Sequence, residues 1–304
     1  MLPENWKGLI AAVFTPMHAD GSLRLEQAPI IVEHLLHHGI AGIYAVGSTG
    51  EGVSLTIQER QTVAEAFVRA AAGRIPVLVQ VGHTSVAEAR GLAAHAQAIG
   101  AAGVSAVPPF YFKPTSLEIL VACMREIAAA APGLPFYYYH IPSLTSCPFD
   151  MVEFLQLASQ QIPTLAGIKF TSPSLNEMQA CITAFAGRYT IFHGLDEILL
   201  SGLSTGAHGA VGSTYNYAPA VYRRLVAAFS AGDMAEARKW QARSVELIRI
   251  IVRYRGFAGQ KAVMKLIGLD CGPTRLPLDP LSAEELDALR GQLDAIGFFD
   301  WALR

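Results

Sequence analysis

The segments PFYYYHIPSLTS (residues 135–146) and LAGIKFT (residues 165–171) decide how this chain folds. The aromatic run that Pro142 closes predicts one strand, and the short apolar run after Pro163 predicts the next. A helical pattern fills the gap between them. This pattern predicts a strand, a helix and a second strand, with the two strands parallel in one sheet.

Lys169 is the unusual residue of this unit, because a lysine within a buried strand costs roughly several kcal/mol unless its amine is used. The ordinary explanation is a lysine at a strand end whose amine reaches solvent. Tyr139, however, stands 30 residues earlier (169 minus 139), at the matching end of the preceding strand. The two side chains are therefore expected to converge, which favours a chemical role.

The same alternation of apolar strands and amphipathic helices continues along the chain. Six further strands are predicted at residues 8–16, 41–46, 76–81, 103–107, 189–194 and 208–213. Helices are predicted at 22–39, 55–73, 85–100 and 115–131, from about Pro148, and at 174–185, 196–205 and 217–231. Eight such units close a (β/α)8 TIM barrel of the α/β class. A doubly wound sheet is the alternative, but no strand is followed by the GxGxxG phosphate fingerprint.

The chain is expected to form one domain over residues 1–304. Its 304 residues are 52% hydrophobic, enough for one large core, and no Pro/Gly/Ser-rich linker or charge block divides them. The barrel is predicted over 1–231 and a C-terminal helical extension over 232–304. The helices of that extension are predicted at 233–254, 258–268 and 282–295.

The composition favours a small-molecule partner. With 23 basic and 25 acidic residues spread along the chain, the net charge of −2 provides no patch for nucleic acid or an anionic membrane. No apolar stretch reaches the roughly 18 residues of a membrane span, and MLPENWKG lacks the features of a signal peptide, so a cytoplasmic protein is expected. The cysteines, expected to be reduced and mostly buried, are Cys123, Cys147, Cys181 and Cys271.

A metal site is not expected, because the nine histidines form neither HExxH nor an HxH at the first strand end. His34, His37 and His38 fall together in a predicted helix and are expected to face solvent. No Gly-x-Ser-x-Gly elbow supports a serine hydrolase.

Polar groups follow several predicted strands, at the barrel end where catalytic groups lie. GSTGEG (residues 47–52) follows the second strand, and its glycines allow amides and hydroxyls to converge on a carboxylate or phosphate, although an ordinary turn is the alternative. Acids in a first helical turn also stabilise the helix dipole, which is the alternative role for Asp196 and Glu197. The other strand-end candidates are Tyr111 after the fourth strand, Gly194 after the seventh, and Gly212 and Ser213 after the eighth.

An amine, a phenol and an anion-binding loop at one barrel mouth suggest Schiff-base chemistry on a 2-oxo acid. To attack a ketone, the Lys169 amine must be partly neutral, although the reference pKa of lysine is about 10.4. Burial disfavours the cation and lowers that pKa, which would activate the nucleophile.

These motifs resemble the superfamily of class I aldolases that contains the N-acetylneuraminate lyases and the dihydrodipicolinate synthases. The matching segments are GSTGE at 47–51, YHIP at 139–142, GIK at 167–169 and the stretch 194–213. The resemblance covers all eight barrel units and implies a homotetrameric (β/α)8 barrel without a cofactor. It implies that Lys169 forms the imine and that Tyr139 transfers protons.

The resemblance also assigns the remaining site residues. It implies that Ser48 and Thr49 hold the carboxylate of pyruvate, and that Tyr111 approaches the site of a neighbouring subunit. The residues that bind substrate would then include Thr171, Gly194, Asp196, Glu197, Gly212 and Ser213.

Two positions separate the subgroups. Synthases of the lysine pathway resemble YNxPxRT at the loop of Tyr139, whereas this chain has Leu144 in place of the arginine that binds a second carboxylate. HGLDE (193–197) and GAVGSTYNY (209–217) instead resemble the sialic acid lyases, which implies cleavage of a sialic acid to an amino sugar and pyruvate. The alternatives are an aldolase or dehydratase for another 2-keto-3-deoxy sugar acid, a dihydrodipicolinate synthase-like enzyme, and a non-catalytic barrel that binds sugar acids.

Overall fold

The structure, a computed structural model, describes residues 7–304. Eight parallel strands follow one another in chain order around a closed barrel, and β8 pairs with β1 to complete it. The strands are β1 (Gly8–Ala12), β2 (Gly42–Ala45), β3 (Val77–Gln80), β4 (Gly103–Ala106), β5 (Phe136–His140), β6 (Leu165–Phe170), β7 (Thr190–His193) and β8 (Gly209–Gly212). The predicted (β/α)8 barrel is confirmed.

Thirteen α-helices are present among the described residues. Those of the barrel are α1 (Gln27–His37), α2 (Ile57–Ala71), α3 (Val86–Ala98), α4 (Leu117–Ala128), α5 (Pro142–Thr145), α6 (Met151–Gln161), α7 (Leu175–Ala184), α8 (Leu199–Ser204) and α9 (Pro219–Ser230). Those of the C-terminal extension are α10 (Met234–Ile251), α11 (Phe257–Leu266), α12 (Ala283–Ala295) and α13 (Phe298–Trp301). Within residues 7–304, no helix has the length and apolar character needed to cross a membrane.

Local side-chain chemistry sets where the helices begin. Thr56 caps α2 by accepting the Glu59 N–H at 3.2 Å, and the Glu59 carboxylate accepts the Thr56 N–H at 2.9 Å, a capping box that the sequence spacing predicts. Helix α6 begins at Met151 rather than near Pro148, because the Asp150 carboxylate accepts the backbone N–H groups of the two residues after Met151.

Two apolar cores flank the strands. One lies between the strands and the surrounding helices, and the other fills the barrel itself with alternate residues of the strands, as a period of two requires. The interior side chains include Ile10, Ala12, Tyr44, Leu78, Tyr137, Tyr139, Phe192 and Val211. The inward-facing tyrosines of β2 and β5 therefore stand inside the barrel.

His34 is not solvent-facing, so that prediction is wrong. Its ring is half-buried, and Nε2 lies 2.9 Å from the carbonyl oxygen of Asn216. Burial lowers the pKa of His34 and, with the neighbouring positive groups, lowers that of His38 to about 4. His38 lies just beyond the end of α1, and only His37 is exposed as expected. His34 thus connects α1 to the segment that follows β8.

Candidate active site

The site begins at the paired ends of β5 and β6, where Tyr139 and Lys169 are partners in the strand register. Nζ of Lys169 lies 4.0 Å from the centroid of the Tyr139 ring. Lys169 is 4% exposed and Tyr139 is 3% exposed, so both side chains are enclosed. The expected convergence of the two side chains is confirmed.

Burial governs the electrostatics of the amine. It lowers the pKa of Lys169, while Tyr139 and, more weakly, the carboxylate of Asp196 favour the cation and oppose the shift. The neutral form of the amine is thus more populated than in an exposed lysine. A neutral, enclosed amine is the form that attacks a ketone.

Tyr44 completes the surroundings of the amine, and the sequence analysis missed it. Its ring centroid lies 3.9 Å from Nζ of Lys169, and its ring meets that of Tyr139 edge-on at 5.8 Å. The Tyr44 hydroxyl donates to Oγ of Ser105 at 3.2 Å. The alternation of inward and outward side chains along β2 is the signal that could have found it. Ala12 and Leu78, which are paired with Tyr44 on the neighbouring strands, also point inward.

The GSTGE loop brings Ser48 to the same place. Oγ of Ser48 lies 3.5 Å from the Tyr139 hydroxyl, and Thr49 is 7% exposed. Gly47 packs against Tyr44 so closely that a Cβ would lie 2.5 Å from that ring. The loop therefore follows the shape of the aromatic pair beneath it.

Two amides of this loop do not take part in the expected convergence on an anion. The N–H of Glu51 donates to the carbonyl of Ser48 at 3.0 Å, and that of Gly52 donates to the carbonyl of Gly47 at 3.0 Å. These two amides close the turn itself. The hydroxyls of Ser48 and Thr49, together with the amides of residues 48–50, which donate to no backbone carbonyl within residues 7–304, are then left for a ligand.

A second set of candidates lies at the ends of β7 and β8. Asp196 is 6% exposed, and its Oδ2 accepts the N–H of Thr214 at 3.0 Å and the Thr214 hydroxyl at 2.6 Å. Oδ1 has no hydrogen-bond partner among the described residues. The Tyr215 hydroxyl is close enough to lower the pKa of the Asp196 carboxyl, but it does not reach hydrogen-bonding geometry with it. Burial outweighs these effects and raises the pKa of Asp196 to about 6.

Glycine is required opposite this acid. A Cβ on Gly212 would lie 1.8 Å from Oδ1 of Asp196, so any side chain there would displace the carboxylate. Gly194 has a similar position beside Thr171, where a Cβ would lie 2.0 Å from Oγ1. That Oγ1 is buried and has no hydrogen-bond partner, which leaves it available to a ligand.

The C-terminal extension holds this second set in place. Nε2 of Gln241 and Oγ of Ser244, both on α10, donate to the carbonyl oxygen of Asp196 at 3.2 and 3.1 Å. Outside that extension, Asn216, just after β8, donates from Nδ2 to the carbonyls of Ala12 at 2.7 Å and Ser213 at 2.8 Å. These positioning residues were missed, because no local pattern connects them to the strand ends.

Three candidates have more open positions. Glu197 and Ser213 are half-buried beside Asp196 and Gly212. Tyr111 is 75% exposed and packs edge-on against the 86% exposed Phe112 at 5.0 Å. The structure does not bring Tyr111 to Lys169 within this chain.

These features define a (β/α)8-barrel protein whose mouth holds a buried lysine, a phenol and a carboxylate. The chain belongs to the dihydrodipicolinate synthetase family, whose model matches residues 5–296. N-acetylneuraminate lyase of Xenopus tropicalis is 40% identical over 295 residues, covering 95% of this chain and 96% of that protein. Human N-acetylneuraminate lyase is 38% identical over 303 residues, covering 98% and 95%. The solved structure of Proteus mirabilis N-acetylneuraminate lyase has a TM-score of 0.92 at 40% identity, covering 95% of this chain and 98% of its own.

Proposed function

We propose that this protein is an N-acetylneuraminate lyase, a class I aldolase that reversibly cleaves N-acetylneuraminate to N-acetylmannosamine and pyruvate. The observation that carries the proposal is the Lys169 amine, 4% exposed, held between the rings of Tyr44 and Tyr139. Relatives of near-complete coverage that bear this name support the choice of substrate.

The reaction begins when the neutral Lys169 amine attacks C2 of the open-chain substrate. The Tyr139 phenol donates its proton to the departing oxygen, so that water leaves and an iminium ion and a phenolate remain. The Tyr139 phenolate then removes the C4 hydroxyl proton. The C3–C4 bond then breaks, its electron pair moves toward the iminium nitrogen, and the C4 oxygen becomes the aldehyde of the amino sugar. Protonation of the enamine at C3 and hydrolysis of the imine release pyruvate and regenerate the amine.

Substrate binding divides between the two halves of the mouth. Ser48 and Thr49 bind the carboxylate of the 2-oxo acid through their hydroxyls, and Ser48 lies close enough to Tyr139 to orient its hydroxyl. Across the mouth, the unpartnered Oγ1 of Thr171 and Oδ1 of Asp196 accept hydroxyl hydrogens of the sugar chain. Glu197 and Ser213 extend that surface, and Gly194 and Gly212 make room for it.

Leu144 argues against the lysine-pathway synthases. It lies on the short helix α5 that follows Tyr139 and is 60% exposed. An aliphatic side chain offers no cation to a second carboxylate, and a synthase-type substrate would lose that charge-assisted hydrogen bond.

We further propose that the enzyme is a cytoplasmic homotetramer that needs no cofactor beyond Lys169. The exposed aromatic pair of Tyr111 and Phe112 supports a subunit contact, since exposed large aromatics are enriched at interfaces. The cysteines, which are Cys123, Cys147, Cys181 and Cys271, are free thiols, in keeping with a reducing compartment. Sedimentation equilibrium tests the assembly, and activity after dialysis against a chelator tests the cofactor.

Borohydride reduction in the presence of pyruvate tests the mechanism. The treatment should inactivate the enzyme and add a pyruvate-derived mass to the peptide that contains Lys169. Release of N-acetylmannosamine from N-acetylneuraminate should be lost in parallel. An enzyme that keeps full activity after this treatment would contradict the proposed imine.

A further inference from the structure

An ion pair is buried between the GSTGE loop and the C-terminal helices. Nζ of Lys261, on α11, lies 2.7 Å from Oε1 of Glu51, and the exposed fractions of the two side chains are 2% and 0%. Burial lowers the pKa of Lys261, and the adjacent Glu51 opposes that shift. A buried charge left without its partner is strongly unfavourable, so each of these residues requires the other.

Glu51 occupies a demanding place in the loop. It comes three residues after Ser48 and has a φ of 55°, in the left-handed region that a residue with a side chain adopts only when contacts hold it there. The N–H of Glu51 closes the turn onto the carbonyl of Ser48 at 3.0 Å. Any movement of Glu51 is therefore transmitted to Ser48.

The Glu51 carboxylate contacts the C-terminal extension of the chain. Oε1 meets Lys261, and Oε2 accepts the backbone N–H of Arg275 at 2.8 Å. Lys261 in turn donates to the carbonyl of Pro273 at 2.8 Å. Loop, helix α11 and the segment before α12 thus meet at this one carboxylate.

Two further contacts act around the same loop. The Arg275 guanidinium anchors its segment to α2, because it donates to both carboxylate oxygens of Glu59, in the first turn of that helix, at 2.6 and 2.8 Å. The hydroxyl of Thr15, just beyond β1, donates to the carbonyl of Gly50 at 2.6 Å. The loop is thus held on one side by Thr15 and on the other by Lys261 and the Arg275 N–H, and the ion pair is its fully buried charged contact.

We propose that Glu51 and Lys261 are positioning residues that set Ser48 and Thr49 for the carboxylate of the 2-oxo acid, so that the C-terminal extension takes part in substrate binding. The inference rests on the function proposed above, because it assigns the loop to that carboxylate. Neither residue touches substrate. Their effect passes through the turn that joins Glu51 to Ser48.

Lys261→Met tests this arrangement, because methionine keeps much of the apolar stem and removes the cation. The concentration of pyruvate that gives half-maximal borohydride trapping at Lys169 should rise by about 10-fold or more, the loss expected for a charge-assisted contact. Trapping at saturating pyruvate should stay close to that of the wild type. The control is Lys265→Met, one turn later on the same helix at an exposed position, which should change neither quantity.

The double variant Glu51→Gln/Lys261→Met separates positioning from stability. It carries no unpaired buried charge, and the amide oxygen introduced at position 51 can still accept the Arg275 N–H, so its melting temperature should return toward that of the wild type. If the pair positions the loop, the half-maximal pyruvate concentration should stay raised in the double variant. If the pair is purely structural, the melting temperature and the half-maximal pyruvate concentration of the double variant should both return toward the wild-type values.

The outcomes also separate this inference from the proposed function. If the wild type is trapped at Lys169 and both variants show its half-maximal pyruvate concentration, the positioning role is overturned while the imine stands. If the wild type is not trapped at all, the proposed function fails and this inference falls with it.

Discussion

Two lysines are buried among residues 7–304, one at the barrel mouth and one beneath the C-terminal helices. Lys169 lies between two tyrosine rings, at 3.9 and 4.0 Å, and the charge of Asp196 acts on it as a minor influence. Lys261 lies 2.7 Å from the carboxylate of Glu51 and also donates to a backbone carbonyl. Burial lowers the pKa of both lysines.

The difference lies in what opposes that shift. Lys261 has the Glu51 carboxylate in contact at 2.7 Å, which favours the ammonium form and opposes the effect of burial. Lys169 has phenol rings in contact, which stabilise a cation more weakly than a carboxylate does. The same amino acid at similar burial thus suits a structural role in one place and the proposed nucleophilic role in the other.

The largest expected effect is that of Lys169→Ala, which should abolish both pyruvate trapping and cleavage of N-acetylneuraminate. Without the amine no imine forms, and no other group at the mouth supplies an electron sink. Peptide mass mapping of the borohydride-treated wild type provides the assignment. A pyruvate adduct at Lys261, Lys113 or Lys265 would break the contrast between the two lysines.

Tyr139→Phe tests the phenol beside the amine of Lys169. We expect kcat to fall by about 10²-fold or more, the usual contribution of one general acid or base, while pyruvate trapping persists. Tyr138→Phe is the matched control, because the neighbouring ring packs outside the barrel against Phe154 at 4.5 Å and should leave kcat unchanged. Near-normal turnover in Tyr139→Phe would assign the proton to another group.

Among the described residues, Asp196, unlike Glu51, is buried without a cation in contact. The pH dependence of the unfolding free energy tests whether this burial raises its pKa. Burial raises its pKa from 3.8 to about 6, so its protonated form contributes stability that is complete below pH 3.8 and lost as the pH rises through about 6. The shift corresponds to on the order of 3 kcal/mol. Urea unfolding of the wild type and Asp196→Asn at pH 4 and pH 7 measures it. The wild type should lose stability relative to the variant at pH 7. If the two proteins differ by the same unfolding free energy at pH 4 and pH 7, the raised pKa of Asp196 is contradicted.

The smallest expected effect concerns substrate choice. Asp196→Asn or Glu197→Gln should reduce kcat/KM for N-acetylneuraminate by about 10- to 100-fold, or about 1.5 to 3 kcal/mol for a hydrogen bond to a charged group. Pyruvate trapping at Lys169 should hardly change, because pyruvate lacks the sugar hydroxyls. If both variants cleave N-acetylneuraminate normally, a shorter keto-deoxy sugar acid becomes the better substrate.

The barrel was predictable because its information is local. Each strand is a short apolar run, each helix has its own period, and the count of eight fixes the closure. Lys169 and Tyr139 were found for the same reason, since a polar residue that ends an apolar strand can be recognised without knowledge of its neighbours. The four-residue helix α5 was missed because it is shorter than two periods of an amphipathic pattern.

The rest depends on contacts that the sequence does not mark. Glu51 and Lys261 are 210 positions apart (261 minus 51), and nothing near either residue indicates its partner. His34 was misjudged because its contact, the Asn216 carbonyl, lies after β8. The glycines of GSTGEG suggested free amides, whereas the amides of Glu51 and Gly52 close the turn, which depends on the actual backbone angles.

Gly212 also limits how the specificity of the pocket can change. Because a Cβ at this position would lie 1.8 Å from the Asp196 carboxylate, a substitution at position 212 requires that carboxylate to move or position 196 to change with it. The two positions are therefore coupled across 16 residues (212 minus 196) and should vary together among relatives that accept other sugar acids. A mutant library that randomises both at once explores new substrates, whereas one that changes position 212 alone samples mostly damaged pockets.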